Sequence, residues 1–174
     1  NSIYSDSFEY NLYNNYGIVG TIHTPSARTF DEGVHGVTVY IGDPNQTVTL
    51  SASPFDWFEA SFFYTNVQDR PYCYDFTSDV CLQDFKDKGF NVKLRLKEQG
   101  KLPAIAIGLN DFAGTGIYSS EYIVGSYGIN RTDFHFGLGF GLLDGSDLSF
   151  KNPLSYISDK FNNRPTETEG LGNG

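Results

Sequence analysis

The residues best suited to chemistry lie in KGFNVKLRLK (88–97), where Asn91, Lys93, Arg95 and Lys97 occupy every second position. Lys and Arg match carboxylate and phosphate groups, so a row of them on one strand face would draw acidic sugars. Inside a barrel that row, joined by His135, would line the lumen and face a passing polymer. On a plain sheet it would be a solvated face with Glu59, Glu121 and Asp133 as ordinary charged neighbours. The alternation allows both readings.

Other candidates are weaker. Cys73 and Cys81 lie in one loop-like stretch, far in sequence from His23, His35 and His135. That spacing favours a disulfide within the loop over a metal site, and implies an oxidising compartment. Trp57, Phe58, Phe62, Tyr64, Tyr122 and Tyr127 would stack on sugar rings or form a belt at a membrane surface. Trp57, Tyr64 and Tyr122 are assigned to the belt. Asp56 with Glu59, or Glu121 with Asp133, resemble paired carboxylates, but any acidic β-protein offers such pairs. DFAGTG (111–116) lacks the Lys and helix of a phosphate loop, and DGSD (144–147) lacks the spacing of a calcium loop. No GxSxG, HExxH or Cys/His pairing stands out. The chain is read as no enzyme, with no catalytic residue, metal or cofactor.

Such residues need elements to hold them, and the composition points to strands. The 174 residues are 16% aromatic with 19 Gly, a mixture suited to strands and turns. The net charge of −9 argues against a nucleic-acid partner. No apolar run reaches the length of a membrane-crossing helix. Mean hydropathy is −0.33, a value that a soluble sheet and a membrane barrel share, because only alternate barrel residues face lipid.

In DFHFGLGFG (133–141) Phe134, Phe136, Leu138 and Phe140 alternate with His135, Gly137, Gly139 and Gly141. A strand sends neighbouring side chains to opposite faces, so this segment has one apolar face and one polar or empty face. Strands are predicted at 34–41, 46–53, 57–66, 88–97, 102–110, 119–128 and 132–141. Their lengths approach the 9–11 residues of a tilted membrane-crossing strand. In an up-and-down meander the short connectors SPFD, EQGK and GINR share one side. GDPN, 67–87, 111–118 and the tail share the other and are mostly long, as in outer-membrane barrels. The chain divides into an N-terminal arm and pre-barrel or plug segment (1–33), barrel strands (34–141), and an external loop or tail (142–174). The fold class is all-β, an antiparallel meander forming part of a transmembrane β-barrel.

The segments TPSARTFDEG (24–33), SASPFDWFEASFFYTN (51–66), residues 87–126 and DFHFGLGFG resemble the YjbH/GfcD-type outer-membrane proteins of Gram-negative exopolysaccharide and capsule gene clusters. SPFDW, DKGFNVKLRL and DFAGTG…SSEY are the most specific parts. The resemblance implies a β-barrel of the bacterial outer membrane that takes part in polysaccharide export or assembly. Its partners would be polysaccharide, the outer-membrane bilayer and other export-system proteins. Family members are much longer, and an open seven-stranded sheet leaves unpaired backbone groups at both edges, which lipid does not tolerate. The chain is therefore expected to be part of a larger barrel, or to close by oligomerisation. The alternatives are a soluble carbohydrate-binding β-sandwich and a structural cell-surface protein.

Overall fold

The computed structural model describes residues 11–72, 83–143 and 151–161. Seven strands form one antiparallel sheet in sequence order: β3 (Val34–Ile41), β4 (Asn45–Phe55), β5 (Phe58–Tyr72), β6 (Gln83–Lys97), β7 (Ala104–Asn110), β8 (Ser120–Ile129) and β9 (Thr132–Gly141). A separate two-stranded ribbon, β1 (Gly20–Thr21) with β2 (Thr24–Pro25), precedes it. The all-β antiparallel meander follows from the period-two pattern. The sheet is open among the described residues, with β3 and β9 as its outer strands. No helix among them is long and apolar enough to cross a membrane.

Strand limits follow local chemistry. β7 starts after Pro103, which has no N–H to give to a ladder. Asn130 takes φ 55° in the turn before β9, a conformation Asn tolerates better than most residues. The largest departure from expectation is 67–87, read from the sequence as a long connector. Much of it is strand: Val67 pairs with Phe85, and after an irregularity Pro71 pairs with Asp84 and Tyr72 with Gln83. Phe85, Asp87 and Gly89 continue the inward period of Asn91 and Lys93, so β6 simply extends upstream. Pro71 is accommodated where the register shifts. Cys73 and Cys81 lie outside the described residues.

The two faces of the sheet differ in chemistry and in exposure. One face carries Thr47, Thr49, Ser51, Ser53, Glu59, Ser61, Asn91 and Lys93, and it is buried. The other carries Val37, Val39, Leu50, Phe90, Ile107, Ile123, Phe136 and Leu138, and it is exposed. Val37 stands opposite Leu50, Ile107 opposite Ile123, and Ile123 opposite Leu138, so the exposed apolar positions are contiguous across strands.

The polar face is covered by residues 11–30. Gly36 lets this segment approach closely, since a Cβ there would lie 2.4 Å from the Tyr13 ring. Ser51 Oγ donates to the Gly17 carbonyl at 2.6 Å, and Ser126 Oγ accepts from Ala27 N at 2.8 Å. A small apolar core of Ile18, Ala27, Ala104, Ala106, Tyr122 and Val124 lies between the segment and β7–β8. Polar side chains on the sheet thus satisfy backbone groups of a segment that has little regular structure of its own.

Candidate functional site

The centre of the covered face is an ion pair. β5 and β6 are in register so that Glu59 stands directly opposite Lys93. Lys93 Nζ lies 2.6 Å from Glu59 Oε2, and the two side chains are 0% and 3% exposed. The same ammonium donates to the Val19 carbonyl at 2.9 Å and the Arg28 carbonyl at 2.6 Å. An ammonium has three donors, and all three are used. Glu59 in turn accepts from Val19 N at 3.2 Å and Phe30 N at 3.0 Å. One buried pair therefore holds residues 19, 28 and 30 of the covering segment.

The neighbours extend this arrangement. Asn91 is fully buried; its Nδ2 donates to the Tyr16 carbonyl at 2.8 Å and Ser61 Oγ at 3.0 Å, and its Oδ1 accepts from Asp111 N at 3.0 Å. Arg28 binds both Asp133 carboxylate oxygens, each at 2.8 Å, and also donates to Gln99. His135 shares a 2.8 Å bond between its Nδ1 and Ser126 Oγ. Arg95 is half-buried, with Glu98 at 2.8 Å and Asp56 at 3.6 Å. Lys97 lies beyond a register irregularity and is exposed.

The sequence-assigned row is thus split. Asn91 and Lys93 share the face toward which Arg28 and His135 also contribute, but they lie beneath the covering segment, where Glu59 neutralises Lys93. Arg95 is matched by carboxylates, and Lys97 stands apart. Of the aromatics assigned to a surface belt, Trp57 and Tyr64 are exposed, and Trp57 stacks on Phe55 at 5.2 Å with the rings 3° from parallel. Tyr122 sits on the covered face instead. It shares parity with Ser120, Val124 and Ser126, and its ring fills space left by Gly108, its partner on β7.

The sequence offered Glu59 only as an ordinary charged neighbour of a solvated row; its buried pairing with Lys93, and the backbone of 19–30 that shares it, were not legible. The available signal was the polar alternation Glu59, Ser61, Thr65 within an aromatic strand, which marks a polar face but not what covers it.

At the end of the sheet holding the 111–119 connector, two more carboxylates are buried. Asp111, at φ 48°, turns its side chain over Gly89, and its Oδ2 accepts from Tyr118 N at 3.0 Å. Asp87 Oδ1 accepts from Thr115 Oγ1 at 2.7 Å. Asp111 Oδ1 and Asp87 Oδ2 have no hydrogen-bond partner among the described residues. Burial, with the charge of Asp87 adding to it, pushes the Asp111 carboxyl up to about 7 despite bonds from the Tyr118 and Gly116 backbone.

Comparison with known proteins adds identity to this geometry. No solved structure matches the chain. The uncharacterized lipoprotein YjbH of Escherichia coli (strain K12) is 39% identical over 149 residues, covering 84% of this chain. The chain spans 21% of that relative's length. Residues 12–173 match the YjbH family model, described as exopolysaccharide biosynthesis protein YbjH, and the chain belongs to that family.

Proposed function

We propose that this chain forms part of the wall of an outer-membrane β-barrel that takes part in export or surface assembly of exopolysaccharide. In this reading the exposed apolar face meets lipid, and residues 11–30 plug the lumen. The role is passive: the protein shapes a polar path and catalyses nothing.

The observation that carries the reading is the inverted sheet, polar where covered and apolar where exposed. Leu138, Phe136 and Val37 are 61%, 56% and 67% exposed on one continuous face. Taking such a side chain out of water gives about 1.5–3 kcal/mol, so a face of them left in water forgoes that gain at each position. A soluble sandwich would turn this face, not the serines and threonines, toward its core. The connectors fit in part: 56–57, 98–103 and 130–131 lie at one end, as the short periplasmic turns of barrels do, while the other end holds the longer 111–119 beside the short 42–44. The family match supplies the exopolysaccharide association, and the relative's printed name, a lipoprotein, fits attachment to a membrane.

Detergent dependence tests the reading. The full-length protein is expected in the outer-membrane fraction, aggregating when detergent is withdrawn. A preparation that stays monodisperse without detergent would overturn it and favour the soluble alternative.

A further inference from the structure

At the end of the sheet where β3 meets β4, a cleft of about 130 Å³ opens between the N-terminal segment and the covered face. Tyr16 and His23 reach it from the segment, Tyr40 and Phe63 from β3 and β5, and Tyr118 from the connector after β7. His23 and Tyr40 meet edge to face with centroids 6.4 Å apart, and Phe63 and Tyr118 do so at 6.3 Å. An edge-to-face pair uses one face of one ring, so the His23–Tyr40 pair leaves further ring faces available.

The polar groups on these walls are amides, hydroxyls and one imidazole. Asn45 Oδ1 accepts from the Tyr118 hydroxyl at 3.1 Å. Thr47 and Thr65 share a hydroxyl bond at 2.8 Å, and the Asn15 amide reaches the His23 ring at 3.3 Å. No Asp, Glu, Lys or Arg is among the lining residues. The Tyr40 hydroxyl has no hydrogen-bond partner among the described residues and is free to take one from a ligand.

This combination selects a chemistry. A pyranose ring has an apolar C–H face that suits aromatic rings, and a rim of hydroxyls that suits amides and hydroxyls. A phosphate or uronate would bring its charge into a cleft with no Lys or Arg to meet it, which is costly. We propose that the cleft binds an uncharged sugar unit of a polysaccharide. The inference rests on the exopolysaccharide reading above and names the substrate class within it. It differs from the lumen expectation, in which Lys93 and Arg95 attract acidic sugars.

The test is isothermal titration of the full-length protein in detergent. The probes are neutral gluco-, manno- and galacto-hexaoses, with an oligogalacturonate hexamer as the acidic counterpart. At least one neutral hexaose is expected to bind, with saturation transfer to its C–H protons. Tyr40→Ala and Tyr118→Ala are each expected to weaken it tenfold or more. Tyr118→Phe, which keeps the ring and loses the bond to Asn45, guards against misfolding and is expected to lose less. Binding of the acidic hexamer alone, of no neutral hexaose, or of a neutral hexaose unaffected by all three variants overturns the proposal. Failure of sugar binding in a protein that still inserts into membranes rejects the cleft and leaves the barrel reading standing. Neutral-sugar binding by a detergent-independent protein does the reverse.

Discussion

Glu59 and Lys93 face each other across β5 and β6 at 2.6 Å, with solvent excluded from both. Their remaining bonds all go to the backbone of the covering segment, at Val19, Arg28 and Phe30. The pair fastens two parts of the chain that no regular ladder joins. A buried pair gains little over an apolar replacement, because desolvation offsets the attraction, but losing one partner strands a charge.

Lys93→Met and Glu59→Leu are each expected to destabilise the fold by about 3–5 kcal/mol. The double variant should cost less than the sum, since neither charge is left unpaired. Thermal unfolding of the detergent-solubilised protein measures this, and limited proteolysis should show cleavage within residues 11–30 first in the single variants. Additive losses would mean the pair is not the fastening.

Asp111 gives a pH dependence of definite sign. Its carboxyl is raised to about 7 in the folded protein, so the folded state holds a proton that the unfolded chain gives up at an ordinary carboxylate pKa. Stability from this group is greatest below about pH 4 and falls as pH rises to 7. Asp111→Asn removes the dependence and is expected to stabilise the protein at pH 8 by on the order of 1–3 kcal/mol. Unfolding midpoints of both proteins between pH 4 and 8 decide it; parallel curves would reject the assignment.

Gly89 separates a packing requirement from a conformational one. A Cβ there would lie 2.3 Å from Asp111 Oδ1 and 2.8 Å from the Phe63 ring. Gly89→Ala is expected to cost about 1–3 kcal/mol through overpacking. Gly100 has nothing within 4 Å of the same position, and Gly100→Ala should fall within about 0.5 kcal/mol of the wild type. Equal effects in chemical unfolding would show that the crowding at Gly89 relaxes freely.

Leu138 tests the solvent of the apolar face. If that face meets lipid, Leu138→Arg should lower folding stability in liposomes by about 2–4 kcal/mol near the bilayer centre and reduce outer-membrane yield. If it meets water, the same change should be neutral and raise solubility. The urea midpoint in liposomes and the yield in the membrane fraction distinguish the two.

Much of the fold was legible from residue type. β3 and β9 run over the residues their alternation marks, because a half-covered strand repeats strictly in twos. The extension of β5 and β6 was hidden by Pro71 and by the charged residues Asp84, Lys86, Asp87 and Lys88, which leave Phe85 as a lone apolar inward position. Tyr122 lies on the covered parity of β8, and the other parity is only partly exposed: Ile123 is open while Glu121 and Gly125 are buried. Gly125 lies beneath the ring of Phe136 on one face, while Tyr122 and Val124 pack on the other.

The sequence by itself determined the strand period, the meander and the existence of two unlike faces, since these depend on neighbouring residues alone. Only the tertiary structure decided which face is covered and by what. Alternation is symmetric between inside and outside, and the covering segment holds through backbone groups that every residue carries. The pairing of Lys93 with Glu59, rather than with a ligand, was likewise a matter of register. A shift of one residue would have turned each charge to the opposite face.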